Sequence, residues 1–382
     1  MQIKIIFNGK YPGFGAASKR VQLYEKGLKL YNNDVEVVSI NPSFKGFLFS
    51  FLVPIYLLKK LIKLNHHPDI FFVYGFGWVS KLIIILYARN KSGEVVFELN
   101  EKPYSNIGAS RRDIILKYFV PLNLFCLTRI VYPLADGFVV ISEALSGYAN
   151  KYKSSKCKII KIPIIVDFEY YQEKFNLKNS IHRPFLIHTG TPNNVKDGIV
   201  DVFKAVAIVI NEYQIPLHFY LTSKMILPTV KNEINKILDE YKINSYVHFL
   251  GDIDDDTLFY YQKNCDLVVL NKIHNEQNKY NFATKIGEFS ALGTPIVTTN
   301  IGEVANFLKD NMHCFYIPSN NPKAIASKMA YILNNKKDIA HITSNVKKLA
   351  AKEFDYKINC KKLAIFFSDI VKDKKSQQQT IN

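Results

Sequence analysis

Lys285 and Glu288 are charged residues whose spacing lets them act together. They stand three residues apart, so they lie on one face of any helix that contains both. Such a helix would end at Gly293, which suits a left-handed C-cap, and Pro295 follows where no helix can continue. An acidic side chain near the start of a short helix in an α/β layer faces the crevice where such sheets bind ligands. On spacing alone, the pair could equally be a surface ion pair worth about 0.5 kcal/mol.

A second candidate binding element is the loop Gly190-Thr-Pro-Asn-Asn-Val-Lys196-Asp-Gly198. A lysine at a loop-to-helix junction can pair with a diphosphate as a point charge. The alternative is an exposed lysine near a helix start, where the helix macrodipole makes a cation slightly unfavourable. That mild penalty favours the binding interpretation.

A third candidate is the glycine loop that contains Gly13 and Gly15 after the first predicted strand. Glycines let the backbone approach a ligand closely, and the N-terminus of the following helix favours anions. A dinucleotide-binding dehydrogenase would need a third glycine where Ser18 stands and an acidic residue where Asn41 stands. NAD binding is therefore disfavoured, although a lone Gly-x-Gly is more often only a tight turn.

Alternating strands and helices are predicted to position these residues. The predicted strands are 3–8, 35–40, 70–74, 95–99, 137–141, 158–162, 185–189, 217–222, 247–250, 267–270 and 295–298. The predicted helices include 16–30, 79–90, 198–213, 230–241, 256–264, 322–335 and 356–372. Short apolar strands separated by helices indicate parallel, doubly wound sheets. Because 382 residues exceed one typical core, we expect two such domains.

The net charge of +17 is concentrated in the N-terminal half. Residues 1–165 hold 23 Lys and Arg against 10 Asp and Glu, whereas the remainder is nearly balanced. One half therefore faces an anionic partner, and on charge alone this could be nucleic acid or a membrane leaflet. Nucleic acid is disfavoured because the basic residues form no aromatic-interleaved platform.

Two apolar stretches with basic residues, 44–63 and 111–129, lie in this basic half. Proline and charge interrupt both before they reach the roughly 20 apolar residues that a membrane span needs. Each could be an interfacial helix with a basic rim, or a helix that packs on the sheet and leaves its lysines in solvent. The sequence leaves both open.

Metal binding and disulfide bonding find little support. The five cysteines are odd in number and lack C-x-x-C spacing, as expected for reduced, mostly buried thiols. No histidine pair has metal-binding spacing. Asp252 and Asp254 have D-x-D spacing, but acidic residues at a helix N-terminus explain them. His188 could touch a ligand, yet a half-buried histidine with satisfied hydrogen bonds is the simpler interpretation.

Taken in order, these motifs resemble retaining glycosyltransferase family 4. The segment Lys285-Ile-Gly-Glu288-Phe-Ser-Ala-Leu-Gly-Thr-Pro-Ile-Val resembles its K-x-x-E-[YF]-x-A-x-G-x-P-[IV]-[IV] signature. The family's phosphate-binding loop resembles Gly190 with Lys196-Asp-Gly. One of its strands resembles Ala135-Asp-Gly-Phe-Val-Val-Ile-Ser142, and its entry to the interdomain hinge resembles Ile162-Pro-Ile-Ile-Val-Asp167. The similarity extends over residues 1–370, and only the Glu288 segment is specific by itself.

The resemblance implies roles for individual residues. Glu288 would bind the ribose hydroxyls of a donor nucleotide, and Lys196 would neutralise its diphosphate, the main catalytic requirement. The sugar and phosphate of the donor would be bound by Lys285 and by the backbone of Asn281, Phe282, Ala283 and Thr284. Gly190 would lie beside them. Gly13 and Gly15 would let the first loop close on the donor. Glu98, Asn100 and Glu101 would lie on the acceptor side, and no metal or cofactor is expected.

Three departures from the family pattern bear on these roles. The family often has a second glutamate where Tyr280 stands and an arginine where Thr191 stands. A histidine often found after the fourth strand is not evident in the segment 98–103. Sugar recognition and diphosphate neutralisation must therefore depend partly on other residues.

The expected architecture is α/β, with two Rossmann-like domains facing across a cleft, the GT-B fold. We expect an N-terminal acceptor-side domain over 1–165, a linker over 166–182 and a nucleotide-sugar domain over 183–355. A helix over 356–372 would pack back on the first domain, and the polar tail 373–382 would be disordered.

The resulting hypothesis is a retaining glycosyltransferase of bacterial surface polysaccharide synthesis. Its partners would be a nucleotide-diphosphate sugar, a glycan or lipid-linked acceptor, and an anionic membrane surface that contacts the N-terminal domain. It would be cytoplasmic and peripheral on the inner face of the plasma membrane, since no signal peptide is visible. The alternatives are a nucleotide-sugar epimerase or hydrolase on the same fold, or a non-catalytic protein that binds a membrane or polyanion.

Overall fold

The computed structural model of the chain describes residues 1–13, 15–41, 47–64, 67–103, 113–173, 181–223 and 225–381. For the helical residues 47–51, 113–119 and 377–381 it describes the backbone alone. The chain divides into two compact units. The first unit is Met1–Val166 with Asp355–Asn382, and the second unit is Asp167–Phe354. Parts of the two apolar stretches (44–46 and 111–112) and of the predicted linker (174–180) fall outside the described residues.

The first unit contains one parallel sheet with strand order β2-β1-β3-β4-β5-β6. Its strands are β1 Gln2–Phe7, β2 Asp34–Ser39, β3 Ile70–Tyr74, β4 Glu94–Leu99, β5 Gly137–Val140 and β6 Lys158–Lys161. Its helices before the second unit are α1 Ala16–Lys29, α2 Phe47–Ile62, α3 Trp78–Asn90, α4 Asp113–Cys126 and α5 Glu143–Asn150. All residues of β4 and β5 are buried, as expected for central parallel strands that helices cover on both faces.

The second unit repeats this design with shorter strands. Its strands are β7 Phe185–Thr189, β8 His218–Thr222, β9 Val247–Phe249, β10 Val268–Leu270, β11 Ile296–Thr298 and β12 Phe315–Tyr316. Its helices are α6 Asn194–Asp197, α7 Ile199–Asn211, α8 Pro228–Glu240, α9 Asp255–Asn264, α10 Glu276–Tyr280, α11 Thr284–Leu292, α12 Val304–Phe307, α13 Pro322–Asn334 and α14 Ala340–Leu349. A parallel bridge from Leu186 to Leu267 joins β7-β8-β9 to β10-β11-β12. The strands are thus ordered β9-β8-β7-β10-β11-β12.

The last helix, α15 Tyr356–Ile381, belongs to the first unit and packs on α1. A Cβ at Gly27 of α1 would lie 2.4 Å from the Cys360 sulfur, so the two helices approach closely only because residue 27 is glycine. The helix continues into the tail that the composition predicts to be disordered. Lysine and glutamine favour helix there, and Lys374 pairs with Glu94 and donates to the Ser92 carbonyl at 3.1 Å.

The predicted α/β class with two Rossmann-like sheets is confirmed. In each sheet the strand order reverses at one point, so that successive strands are placed first on one side and then on the other. This point lies between β1 and β3 in the first unit and between β7 and β10 in the second. Ligands of such sheets bind outside the carboxyl ends of the strands at these switch points. Within the described ranges, no helix is both long enough and apolar enough to cross a membrane.

Candidate functional site

The switch point of the second unit brings together residues that are distant in sequence. The loop after β7 leads to Lys196 in α6, and Lys272 follows β10 by two residues. Helix α11 contributes Lys285 and Glu288 from its first two turns. We call Lys196, Lys272 and Lys285 the lysine cluster.

Two glycines fix the loop after β7. Gly190 has φ +85°, and its N–H donates to the Thr222 carbonyl at 3.2 Å. Gly198 has φ +51°, and a Cβ there would lie 2.3 Å from Nδ2 of Asn271. That amide instead donates to the Gly198 carbonyl at 3.1 Å, which ties the loop to the end of β10. Any other residue at position 198 would both strain the backbone and break this contact.

The lysine cluster holds more positive charge than its surroundings neutralise. Lys272 forms an ion pair with Asp197, whereas neither Lys196 nor Lys285 has an ion-pair partner among the described residues. Burial lowers the pKa of Lys285 to about 8, Asp197 and Glu288 oppose this shift, and Lys272 and Lys196 add to it. Burial would raise the pKa of Asp197, but the ammonium groups of Lys272 and Lys285 hold it below its ordinary value.

His188, at the end of β7, is a buried polar residue that faces this charge. It is 6% exposed, and its Nε2 has no hydrogen-bond partner among the described residues. Burial, followed by the charge of Lys285, holds the pKa of His188 well below its ordinary value, so the ring is neutral. The simpler interpretation of a half-buried, satisfied histidine is therefore wrong on burial, and it holds only in part for hydrogen bonding, because the ring has a backbone hydrogen bond with Thr191 while Nε2 has no partner among the described residues.

Glu288 is held by a residue that the motif analysis did not identify. Nε2 of Gln262, in α9, donates to Oε2 of Glu288 at 2.9 Å. Gln262 is 3% exposed, so packing fixes the donor and thereby the carboxylate. Burial raises the pKa of the neighbouring Tyr171, and the charge of Glu288 adds to that shift. Gln262 thus orients a half-buried carboxylate beside the lysine cluster.

The residues before α11 differ in whether they pack in the core or leave groups available to a ligand. Phe282 is 2% exposed and packs against Phe307 and Phe354, with ring centroids 5.3 and 5.7 Å away. The Asn281 N–H already donates to the Asn278 carbonyl at 3.3 Å. No side chain caps α11 at Ala283, so first-turn N–H groups, such as that of Thr284, remain for a ligand. The N–H groups at the start of α11, and not that of Asn281, are therefore available for the predicted backbone contacts.

The remaining predicted residues lie in the first unit, at the carboxyl edge of its sheet. Gly13 accepts a hydrogen bond from Gln22 Nε2 at 3.0 Å, and Gly15 is the N-cap of α1. Glu98 is buried and accepts hydrogen bonds from Arg20 and Tyr24, whereas Asn100 is half-buried and Glu101 exposed. Oε2 of Glu98 and Oδ1 of Asn100 are buried without a hydrogen-bond partner among the described residues.

The acidic D-x-D segment is a helix cap, as predicted. The Asp254 carboxylate accepts hydrogen bonds from the Thr257 N–H at 2.8 Å and the Thr257 hydroxyl at 2.9 Å, at the start of α9. All five cysteines are free and buried. In the part of the chain that the structure describes, no group of three or more His, Cys, Asp or Glu residues could hold a metal ion.

The segment that contains this site is similar to a known protein family. Residues 183–335 match the model of the family described as glycosyl transferases group 1. The match lies within the second unit and includes every member of the lysine cluster and Glu288. A search of the curated proteins found no similar sequence.

Solved structures show the same fold across both units. HepE from Anabaena, solved with UDP and also with UDP-glucose, aligns over 97% of this chain and 100% of its own, at 16% identity and a TM-score of 0.69. A glycosyltransferase from Rickettsia africae aligns over 97% and 98%, at 15% identity and a TM-score of 0.71. Sucrose-phosphate synthase from Thermosynechococcus elongatus aligns over 97% and 98%, at 14% identity and a TM-score of 0.71. The chain has the GT-B fold.

Proposed function

We propose that this protein transfers a sugar from a nucleotide-diphosphate donor to a glycan or lipid-linked glycan acceptor, with retention of configuration. The observation that carries the proposal is the lysine cluster beside Glu288, at the switch point of a glycosyl transferases group 1 domain. Ammonium groups that lack carboxylate partners are suited to an anionic ligand. The resemblance of the Glu288 segment to a retaining family supports the stereochemistry.

The arrangement suits departure of a nucleoside diphosphate. Breaking the bond between the sugar and the phosphate leaves negative charge on the diphosphate, and fixed cations around it lower the barrier. Lys196 and Lys285 lie beside the uncapped start of α11, where the helix macrodipole adds positive potential. Glu288, oriented by Gln262, would accept hydrogen bonds from the ribose hydroxyls. No metal ion is required in this scheme.

The acceptor belongs to the first unit in this proposal. Glu98, Asn100 and Glu101 lie at the carboxyl edge of its sheet, and the unpaired buried oxygens of Glu98 and Asn100 suit hydroxyl donors. Gly13 and Gly15 precede α1 at the same edge. A sugar chain of a bacterial surface polysaccharide is the acceptor class that we propose.

An anionic membrane surface on the cytoplasmic side is the proposed location. Val53, Leu57 and Leu61 form the buried face of α2, yet Ile55, Leu58 and Ile62 on the same helix are exposed. Helix α3, which contacts α2 and α4, exposes Leu86, and α4 exposes Leu122 and Phe125. The exposed residues Lys59, Lys60, Lys63 and Arg129 border these apolar side chains. Exposed apolar residues with a basic rim suit an interfacial contact with anionic lipid.

A thermal-shift panel tests donor binding. UDP, GDP, ADP, CMP and their common sugar conjugates are added to wild type and to Glu288→Ala. A ligand at 100 times its Kd stabilises by about 2.7 kcal/mol, which is readily measured. We expect one nucleotide to shift the melting temperature in wild type and a much smaller shift in the variant. The absence of any shift would favour the non-catalytic alternative.

Measuring donor consumption with and without an acceptor distinguishes a glycosyltransferase from an epimerase or hydrolase. An epimerase or hydrolase would consume the donor sugar without an acceptor, whereas we expect turnover to depend on an added glycan acceptor. Glu288→Ala should lose far more activity than Asp255→Ala, which removes an acidic residue from the first turn of α9. Equal losses would contradict the site assignment.

Vesicle sedimentation tests the membrane contact. We expect binding to vesicles that contain phosphatidylglycerol and not to vesicles of phosphatidylcholine alone. Changing Ile55, Leu58 and Ile62 together to serine should abolish binding. The control is Ile365→Ser, which removes an exposed apolar residue from α15 of the same unit. Equal binding by all three proteins would contradict a docking role for α2.

A further inference from the structure

The loop after β7 carries little positive charge for a diphosphate site. The family that the sequence resembles often has an arginine after the phosphate-loop glycine, where this chain has the exposed Thr191. Lys196 is then the only Lys or Arg between Gly190 and Gly198. A nucleoside diphosphate carries between two and three negative charges near neutral pH, so Lys196 alone would leave most of that charge uncompensated.

Lys272 lies across the switch point from Thr191 and has a fixed backbone. Its N–H donates to the Leu270 carbonyl at 3.1 Å, and its own carbonyl accepts from the Thr299 hydroxyl at 3.0 Å. Its side chain is only 13% exposed, and its ammonium group is paired with Asp197. Because Asp197 follows Lys196 directly, this ion pair holds the Lys272 ammonium beside the phosphate loop.

We propose that Lys272, together with Lys285, binds the donor diphosphate and supplies the cationic charge that the loop lacks at Thr191. This inference rests on the proposed function, because it assigns the diphosphate subsite of the same donor. Lys196 and Lys285 have no ion-pair partner among the described residues, and Asp197 holds the Lys272 ammonium beside them, so the lysine cluster presents several cationic groups to a diphosphate.

The buried ring of His188 is an independent indication that a ligand belongs here. Its Nε2 has no hydrogen-bond partner among the described residues, and a buried polar atom without a partner is costly. The charges that shift its pKa are those of Lys285, Asp197 and Lys272, so the ring faces the subsite. A ligand or a water molecule that it binds can satisfy this nitrogen. The uncapped start of α11 beside Lys285 adds N–H donors to the same place.

Calorimetric titration of the full chain tests the assignment. The probes are the nucleoside diphosphate selected by the thermal-shift panel, its monophosphate and inorganic pyrophosphate. We expect Lys272→Ala to weaken diphosphate binding about 10- to 100-fold, because a hydrogen bond to a charged group is lost, and to weaken monophosphate binding much less. Lys279→Ala, which removes an exposed lysine of α10, should change neither affinity.

A rescue variant separates a binding role from a merely structural one. Thr191→Arg places a guanidinium where the family often has one, and in the Lys272→Ala background it should restore most of the lost affinity. A Lys272→Ala protein that binds the diphosphate as wild type does would overturn the inference while leaving the proposed function intact. If wild type binds none of the nucleotides, the proposed function itself fails.

Chemical labelling of wild type gives a test that does not depend on a variant folding. Lysine acetylation is followed by mass spectrometry with and without the nucleoside diphosphate. We expect the nucleotide to protect Lys272 and Lys285, and to leave Lys279 unprotected. Unchanged labelling of Lys272 in the presence of saturating nucleotide would exclude the contact.

Discussion

The carboxyl edges of the two sheets use charge in opposite ways. At the edge of the first unit, Arg20 donates to Glu98 Oε1 at 2.7 Å, to the Pro163 carbonyl at 2.6 Å and to the Ile162 carbonyl at 2.9 Å. At the edge of the second unit, Asp197 is the carboxylate paired within the lysine cluster, and Lys196 and Lys285 have no ion-pair partner among the described residues. The two sheets share a topology, yet the first edge neutralises its cation internally, whereas the second leaves cationic charge that we propose binds a ligand.

The difference shows how burial distinguishes a structural charge from a binding charge. Arg20 and Glu98 are each 4% exposed, and removing such a charge from water is compensated only by close pairing. Lys285 is also largely enclosed, but its pKa of about 8 reflects burial that no nearby partner fully offsets. An anionic ligand would supply the missing partner. The predictions below test this contrast in order of expected size.

Removing Arg20 should produce the largest effect. Arg20→Ala leaves the Glu98 carboxylate buried, and the Tyr24 hydroxyl, 3.0 Å away, is then its only donor among the residues that the structure describes. Breaking a buried pair in this way costs about 3–5 kcal/mol. Trp78 of α3 is the only tryptophan in the chain, so its fluorescence during urea unfolding reports on the first unit.

The control for Arg20 is Lys29→Ala on the same helix. Lys29 and Glu25 form an exposed i,i+4 pair, which is worth about 0.5 kcal/mol or less. A similar loss of stability in both variants would contradict the distinction between the two edges. Nucleotide binding by the folded Arg20→Ala protein should remain, because the lysine cluster belongs to the other unit.

The pH dependence of nucleotide binding should follow Lys285. Its pKa lies near 8 in the ligand-free protein, so the ammonium form predominates at pH 7 and is lost as the pH rises through 8. An anion needs the charged form, and we expect affinity to be about tenfold lower at pH 9 than at pH 7. In Lys285→Arg the charge persists at both values, so a fall of equal size in that variant would exclude Lys285 as the titrating group.

Gln262 should have a smaller, indirect effect. Gln262→Ala removes the donor to Glu288 and frees the carboxylate to rotate, which we expect to weaken nucleotide binding by about 5- to 10-fold. Because the effect acts through Glu288, Gln262→Ala should cost almost nothing in a Glu288→Ala background. Additive losses in this double-mutant cycle would show that Gln262 acts by another route.

Sequence patterns were sufficient for most of the fold because the strands are short, apolar and regularly spaced. Each of the eleven predicted strands overlaps one of the described strands. Strand β12 is only two residues long and carries too little pattern for such an analysis. The helix beyond residue 372 was missed because a composition of lysine and glutamine fits disorder and helix equally well. The helix contacts Ser92 and Glu94, which lie about 280 positions earlier in the chain, so local sequence does not reveal these contacts.

The proposed binding site was harder to predict from the sequence than the fold. Lys196 and Glu288 stand in local motifs, whereas Lys272 and Gln262 enter the proposed site only because β10 and α9 lie beside the motif-bearing elements. Lys272 could have been identified by placing β10 next to β7 and asking which residue follows that strand. Gln262 gives no such signal, because its role depends on the 2.9 Å contact between two helices.

The smallest predicted effect concerns Asp254, which caps the helix that carries Gln262 and to which we assign no contact with the ligand. Asp254→Ala removes the two hydrogen bonds that cap α9, and the loss of an N-cap costs about 1 kcal/mol. Asparagine caps helices as well as aspartate does, so Asp254→Asn should retain the stability in urea unfolding. Gln262 lies two turns further along α9 and is held by burial, so nucleotide affinity should change less than about twofold in either variant. If Asp254→Asn instead lost nucleotide binding while remaining as stable as wild type, its carboxylate would serve the ligand rather than the helix. The D-x-D pair would then need to be included in the binding site.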